Sequence, residues 1–279
     1  MLSAILISIG TFFEEISDSI GKVKVSNGEE SVFIMAFLSL FWSAIFYILI
    51  CIFKSEAFIF NFASLPTFIT RALLEIIQLY VSVLAIADAD RSTYSFVRTM
   101  TIPLLLLIDF ALGYKIVLLS VVGVVVVLIA ILVLFINRKI EKKGMGLVIF
   151  SAINAVVTIS LFKYNTTHFN SLVAEQLSIV LILLAFFALV SIFKNKENPF
   201  IFLSKPIFFL QSFSVGLGGV IESFGYSYGI ASIATAVKRS SALLWSLLTG
   251  KIYFKEKNIS LKFAIMFLLI IGLVLMSLG

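Results

Sequence analysis

Apolar residues fill this chain in long blocks parted by short polar links, and several blocks reach the roughly 20 residues that a membrane-spanning helix needs. The clearest are Val32–Phe53, Pro103–Ile136 with a break at Gly113-Tyr114-Lys115, Met145–Leu161, Leu172–Phe193 and Leu261–Leu278. Blocks more diluted by charge are Leu2–Val23, Pro66–Ala87, Ser92–Leu112, Pro206–Tyr228 and Ser232–Phe254. Strand-type alternation is absent, so the pattern predicts an all-α membrane protein rather than a barrel. Taken together the blocks predict ten transmembrane helices. Pro66 and Pro206 each stand at the start of a span, where a missing N–H costs nothing.

The pattern also repeats. Ile52-Phe53-Lys54 returns as Ile192-Phe193-Lys194, and the same 140-residue step carries Ser64 to Ser204, Pro66 to Pro206, Ser92 to Ser232, Val97 to Val237 and Lys115 to Lys255. Since 140 is about half of 279, the chain divides into residues 1–139 and 140–279, each a copy of one unit. Five spans per copy is an odd number, so the second copy must enter the bilayer upside down. That parity predicts two inverted five-helix repeats with a binding site at their interface, and it fails if Leu2–Val23 does not span.

Composition sharpens this. The chain is 61% hydrophobic and 13% charged, against roughly 45–50% and about 25% in soluble proteins. Mean hydropathy is +1.15. The lipid bilayer is therefore its surroundings, and the net charge of +6 belongs to loops and headgroups rather than to a nucleic-acid surface. Cys51 is the single cysteine and reads as a packed or lipid-facing thiol. The start of the chain does not read as a cleavable signal, because no Lys or Arg precedes its apolar run and Glu14-Glu15 follow where a small-residue cleavage site is needed. Basic residues crowd the links after odd-numbered spans, above all Arg138, Lys139, Lys142 and Lys143, which places both termini outside.

The stretch Ser232–Gly279 runs from Ser-Ile-Ala-Thr-Ala-Val-Lys-Arg-Ser-Ser through Trp245 and Gly250 into the Lys/Glu-rich turn Lys255-Glu256-Lys257, then an apolar span holding Gly272. This resembles the end of EamA-like transporters of the drug/metabolite transporter (DMT) superfamily. Ser92–Phe135, with Thr99, Thr101 and Pro103, looks like the same unit in the first half. The resemblance implies ten helices in two inverted repeats and secondary transport of a small solute, in a multi-pass protein of the plasma (inner) membrane. It also implies termini in the cytoplasm, opposite to the loop charges, so orientation stays open between the two.

A charge in the hydrocarbon core costs about 2.5–3.5 kcal/mol on insertion scales, which makes charges within spans the candidates for function. In the first span Thr11, Glu15, Asp18 and Lys22 share a helix face, with Glu14 beside it. Glu14, Glu15 and Asp18 are proton-coupling candidates; the plain alternative is a membrane-exit segment or neutralisation by basic residues elsewhere. Small multidrug-resistance relatives use a first-helix glutamate in this way. Arg71 and Glu75, four apart, can pair on one face, and Gln78 extends their polar stripe along a cavity wall. Gln211 stands where the step places Arg71. Glu222, among Gly216, Gly218, Gly219 and Gly225, has no partner on its own helix and is a candidate for both substrate binding and proton coupling.

Arg98 and Lys238 correspond under the step, and Arg239 adds a third cation; they either snorkel to the interface or face a central cavity as a carboxylate or phosphate site. Asn154 is a helix–helix hydrogen bond or a substrate contact. Trp245, Tyr226 and Tyr228 read as packing or interface anchors, and His168 as an exposed link residue.

These residues point to a secondary active transporter moving a small metabolite or drug-like solute by alternating access, as a monomer or homodimer. The alternative is a non-transporting scaffold or channel-like protein. An enzyme is not expected: no HExxH or Gly-x-Gly-Asp occurs, one histidine cannot build a metal site, and no P-loop supports ATP-driven transport. No cofactor and no metal are expected.

Overall fold

The computed structural model describes residues 2–111, 118–136, 143–228, 231–255 and 259–278. The helices are α1 (Leu2–Ser26), α2 (Val32–Phe53), α3 (Leu65–Asp88), α4 (Arg91–Arg98), α5 (Thr101–Ala111), α6 (Leu118–Ile136), α7 (Met145–His168), α8 (Leu172–Phe193), the short α9 (Pro199–Leu203), α10 (Pro206–Ser227), α11 (Ala231–Ile252) and α12 (Ile259–Leu278). No strand occurs among the described residues. The expected break at Gly113-Tyr114-Lys115, the repeat residue Lys115 and the basic junction Arg138, Lys139 and Lys142 lie outside them.

Hydropathy sets most helix bounds and local polar chemistry fixes the ends. Ser31 accepts a hydrogen bond from the Ile34 N–H and starts α2; Ser171 does the same from Ala174 and starts α8. Pro66 and Pro206 lie in the first turns of α3 and α10. Among the described residues, five helical segments are long and apolar enough to cross a membrane: Val32–Phe53, Phe62–Asp88, Met145–His168, Leu172–Phe193 and Pro206–Ser227. Large apolar side chains such as Phe110, Leu118, Ile129, Leu189 and Phe267 point outward. So much exposed apolar surface has lipid as its natural solvent, and the chain is an all-α membrane protein.

The expected span Ser92–Leu112 is not one helix. It divides at Thr99-Met100 into α4 and α5. Pro103 has no N–H to give the Thr99 carbonyl, and in a continuous helix its ring would clash there. The chain tightens instead: Thr99 N–H bonds Phe96 O, Met100 N–H bonds Val97 O, and Ile102 N–H bonds Thr99 O at 3.0 Å. With Leu243 in the corresponding place, α11 runs unbroken.

Packing interleaves the chain. The first helix α1 lies against α10 and α11, while α7 lies against α3, α4 and α5; α2 packs on α8 and α10, and α6 pairs with α12.

Candidate functional site

Close approach of α1 and α10 creates the floor of the site. A Cβ at Gly10 would stand 2.4 Å from Glu222 Cγ and 2.7 Å from Gly218 O, and one at Gly218 would stand 2.6 Å from Gly10 O. Only glycine at both places lets the backbones touch. Glu222 is thereby carried against α1, where Thr11 Oγ1 donates to its Oε1 at 2.8 Å.

From this floor a cavity of about 390 Å³ opens, walled by α1, α2, α3, α4, α7, α8, α10 and α11. That volume falls toward the lower end of the roughly 300–1,000 Å³ typical of small-molecule sites. Of the eleven candidate residues, nine line it: Glu14, Glu15, Asp18, Arg71, Glu75, Gln78, Arg98, Glu222 and Lys238. Gln211 and Asn154 stand apart from it. Gln211 Nε2 donates to Glu30 Oε1 at 3.1 Å, and Asn154 Nδ2 donates to Leu74 O at 3.0 Å and Gln78 Oε1 at 2.9 Å. Asn154 is thus a helix–helix tie that orients Gln78, whose Nε2 in turn donates to Ser82 and Ser151.

The charges form three groups of one cation between two carboxylates. Lys238 Nζ pairs with Glu14 Oε2 at 2.8 Å and with Glu222 Oε2. Arg91 gives Nε to Glu15 Oε1 at 3.1 Å and Nη2 to Glu15 Oε2 at 2.6 Å, and also reaches Asp18 Oδ2 at 3.0 Å. Arg71 gives Nη1 to Glu175 Oε1 at 2.8 Å and lies 3.6 Å from Glu75 Oε1. Asn165 and Asn170 hold Glu175 from the far side at 2.8 and 2.6 Å, and the Phe162 ring lies 4.8 Å from the Arg71 guanidinium. The first-span acids are thus paired with cations of α4 and α11, the neutralisation by basic residues elsewhere that stood as the plain alternative to proton coupling.

Two cations differ from these. Arg98 donates from Nη1 to the Tyr94 hydroxyl, and Arg239 from Nε to Thr101 Oγ1 at 3.2 Å. Neither has a carboxylate within ion-pair distance among the described residues.

Sequence reasoning passed over Arg91 and Glu175, which are 1% and 0% exposed. Arg91 sits at a predicted span edge and reads as a loop cation, and Glu175 lies in the first turn of α8. The Arg71–Glu75 pair exists, but Glu175 is the closer partner. Tyr226, read as an anchor, lines the cavity. Sequence reading counted the G-x-S-x-G spacing of nucleophile elbows as absent, but Gly225-Tyr226-Ser227-Tyr228-Gly229 has it. Ser227 ends a helix rather than following a strand, and its hydroxyl donates to Phe224 O. Among the described residues no three His, Cys, Asp or Glu side chains group as metal ligands.

No known protein family and no curated protein matches this chain.

Proposed function

We propose that this protein is a secondary active transporter that moves a small metabolite or drug-like solute by alternating access, built as two inverted five-helix repeats. The observation that carries the reading is the convergence of nine sequence-selected polar side chains on one cavity within an apolar outer surface. Helix bounds support the repeat. The 140-residue step takes Val32–Phe53 onto Leu172–Phe193, the start of α4 at Arg91 onto the start of α11 at Ala231, and the cap Ser31 onto the cap Ser171. It also exchanges the α1–α10 contact for α7–α3. This is the layout that the resemblance to EamA-like members of the DMT superfamily implies, together with a plasma (inner) membrane location and no catalytic role.

Proton coupling belongs to the Glu14–Lys238–Glu222 group. Two carboxylates on one lysine carry one surplus negative charge, and a proton on either removes it. Loss or gain of that proton changes the charge of the cavity that receives the substrate, which links the two events. The test is flux of a solute panel into proteoliposomes with and without a pH gradient. Gradient-driven accumulation should vanish in Glu222→Gln while solute exchange persists. Accumulation indifferent both to the gradient and to this substitution sinks the coupling, and absence of flux for any solute sinks the transporter.

A further inference from the structure

The three carboxylate pairs account for Lys238, Arg91 and Arg71, which leaves Arg98 and Arg239 as the cavity-lining cations with no carboxylate in ion-pair contact among the described residues. Both line the cavity, and Arg239 is 5% exposed. Thr101 Oγ1, which accepts from Arg239 Nε at 3.2 Å, itself donates to the Arg98 backbone carbonyl at 2.7 Å, so the Arg239 guanidinium sits against the turn that carries Arg98. Arg98 Nε is buried with no hydrogen-bond partner, and the bonds Arg239 makes are to a hydroxyl rather than to a carboxylate. Desolvating two mutually repelling guanidiniums is unfavourable unless something of opposite charge joins them. Each carboxylate that lines the cavity faces one of the other cations: Glu14 and Glu222 hold Lys238, Glu15 and Asp18 hold Arg91, and Glu75 holds Arg71 together with Glu175, which lies outside the lining.

From this the geometry points to a small organic or inorganic oxyanion, carrying a carboxylate or phosphate group, bound between Arg98 and Arg239; the inference rests on the transporter reading for its consequence and names the substrate class. Guanidinium forks match such groups with paired donors and stay charged at any working pH, whereas the Lys238 ammonium is already spent on two glutamates. The break after Arg98 serves the same end. Ending α4 at Arg98 and restarting at Thr101 gives Arg239 its hydroxyl partner and places Arg98 at a helix terminus instead of mid-helix. Tyr94, which accepts from Arg98, and Tyr226, which shares a hydrogen bond with Thr235 at 3.0 Å, complete the rim.

The test titrates inorganic phosphate and malonate into the purified full-length protein while thermal unfolding is followed, with chloride at matched ionic strength and tetraethylammonium as controls. A midpoint rise with phosphate alone, malonate alone or both identifies the oxyanion. It supports the inference if apparent affinity falls roughly tenfold or more in Arg98→Gln and in Arg239→Gln. No shift with either oxyanion overturns it, as does a shift that both Gln variants retain. If a Gln variant does not fold, Arg98→Lys and Arg239→Lys decide: weakened oxyanion affinity supports the site, since the fork is lost while the charge is kept, and unchanged affinity overturns it. Proteoliposomes separate the two readings. Flux of a neutral or cationic solute that phosphate and malonate do not inhibit overturns the oxyanion site and leaves the transporter standing. Oxyanion binding with no flux of any solute does the reverse.

Discussion

At the scale of single residues, the site is governed by which charges have partners. Arg91 is the clearest case, because one guanidinium satisfies Glu15 with two hydrogen bonds and Asp18 with a third. Truncating it leaves two carboxylates buried or half-buried without a cation, and such a loss costs about 3–5 kcal/mol. We therefore expect Arg91→Met to lower the unfolding midpoint steeply. Combining it with Glu15→Gln and Asp18→Asn should restore much of the loss, since the triple variant strands no charge. A triple variant no more stable than the single one would mean that Arg91 acts through packing. Thr249, which donates to Glu15 Oε1 at 2.7 Å, ties the same group to α11. The Glu15 carboxylate thus ties α1 to both α4 and α11.

At the scale of elements, the informative contrast is between α4–α5 and α11. One is broken and the other continuous, and the local sequence difference is Pro103 against Leu243. Pro103→Ala returns an N–H that can reach the Thr99 carbonyl. Amide exchange over residues 99–103 should slow measurably by mass spectrometry, and unchanged exchange there would assign the break to tertiary packing. The signal was present in the sequence. A proline four residues after Thr99 specifies the break, yet read by hydropathy it marks the start of an apolar block. Elements whose ends coincide with changes in hydropathy were fully legible: Val32–Phe53 and Leu172–Phe193 are the bounds of α2 and α8. Polar residues inside those blocks, such as Glu222 and Gln78, stood out because burial of a polar group demands a reason. What hydropathy could not give was pairing across more than a hundred residues. Arg71 finds Glu175, 104 positions away, and no periodicity along one helix encodes that distance. Edge residues such as Arg91 were misjudged for a related reason, since a charge at the end of an apolar block has the same composition whether it faces water or a buried acid.

At the scale of the whole molecule, a link between helices also joins the halves. Glu30, in the link between α1 and α2, is 4% exposed and meets Gln211 of α10. Burial pushes its carboxyl up to about 8 from 4.5, against the opposing pull of the Gln211 hydrogen bond. A folded-state value raised above the unfolded one favours the protonated fold. The contribution is complete below about 4.5 and is lost as pH rises through about 8. Unfolding midpoints should therefore decline between those pH values more steeply in the wild type than in Glu30→Gln; parallel declines would remove Glu30 as the cause. The interleaved packing bears, finally, on how such a chain is made. Glu14, Glu15 and Asp18 are near the start of synthesis, whereas Arg91 emerges some seventy residues later and Lys238 only near the end. The first helix leaves the ribosome bearing three acids whose counter-charges do not yet exist. The ion pairs that tie α1 to α4 and α11 can close only once Arg91 and then Lys238 have been made, so assembly of the charged cavity is a late event in the synthesis of the chain.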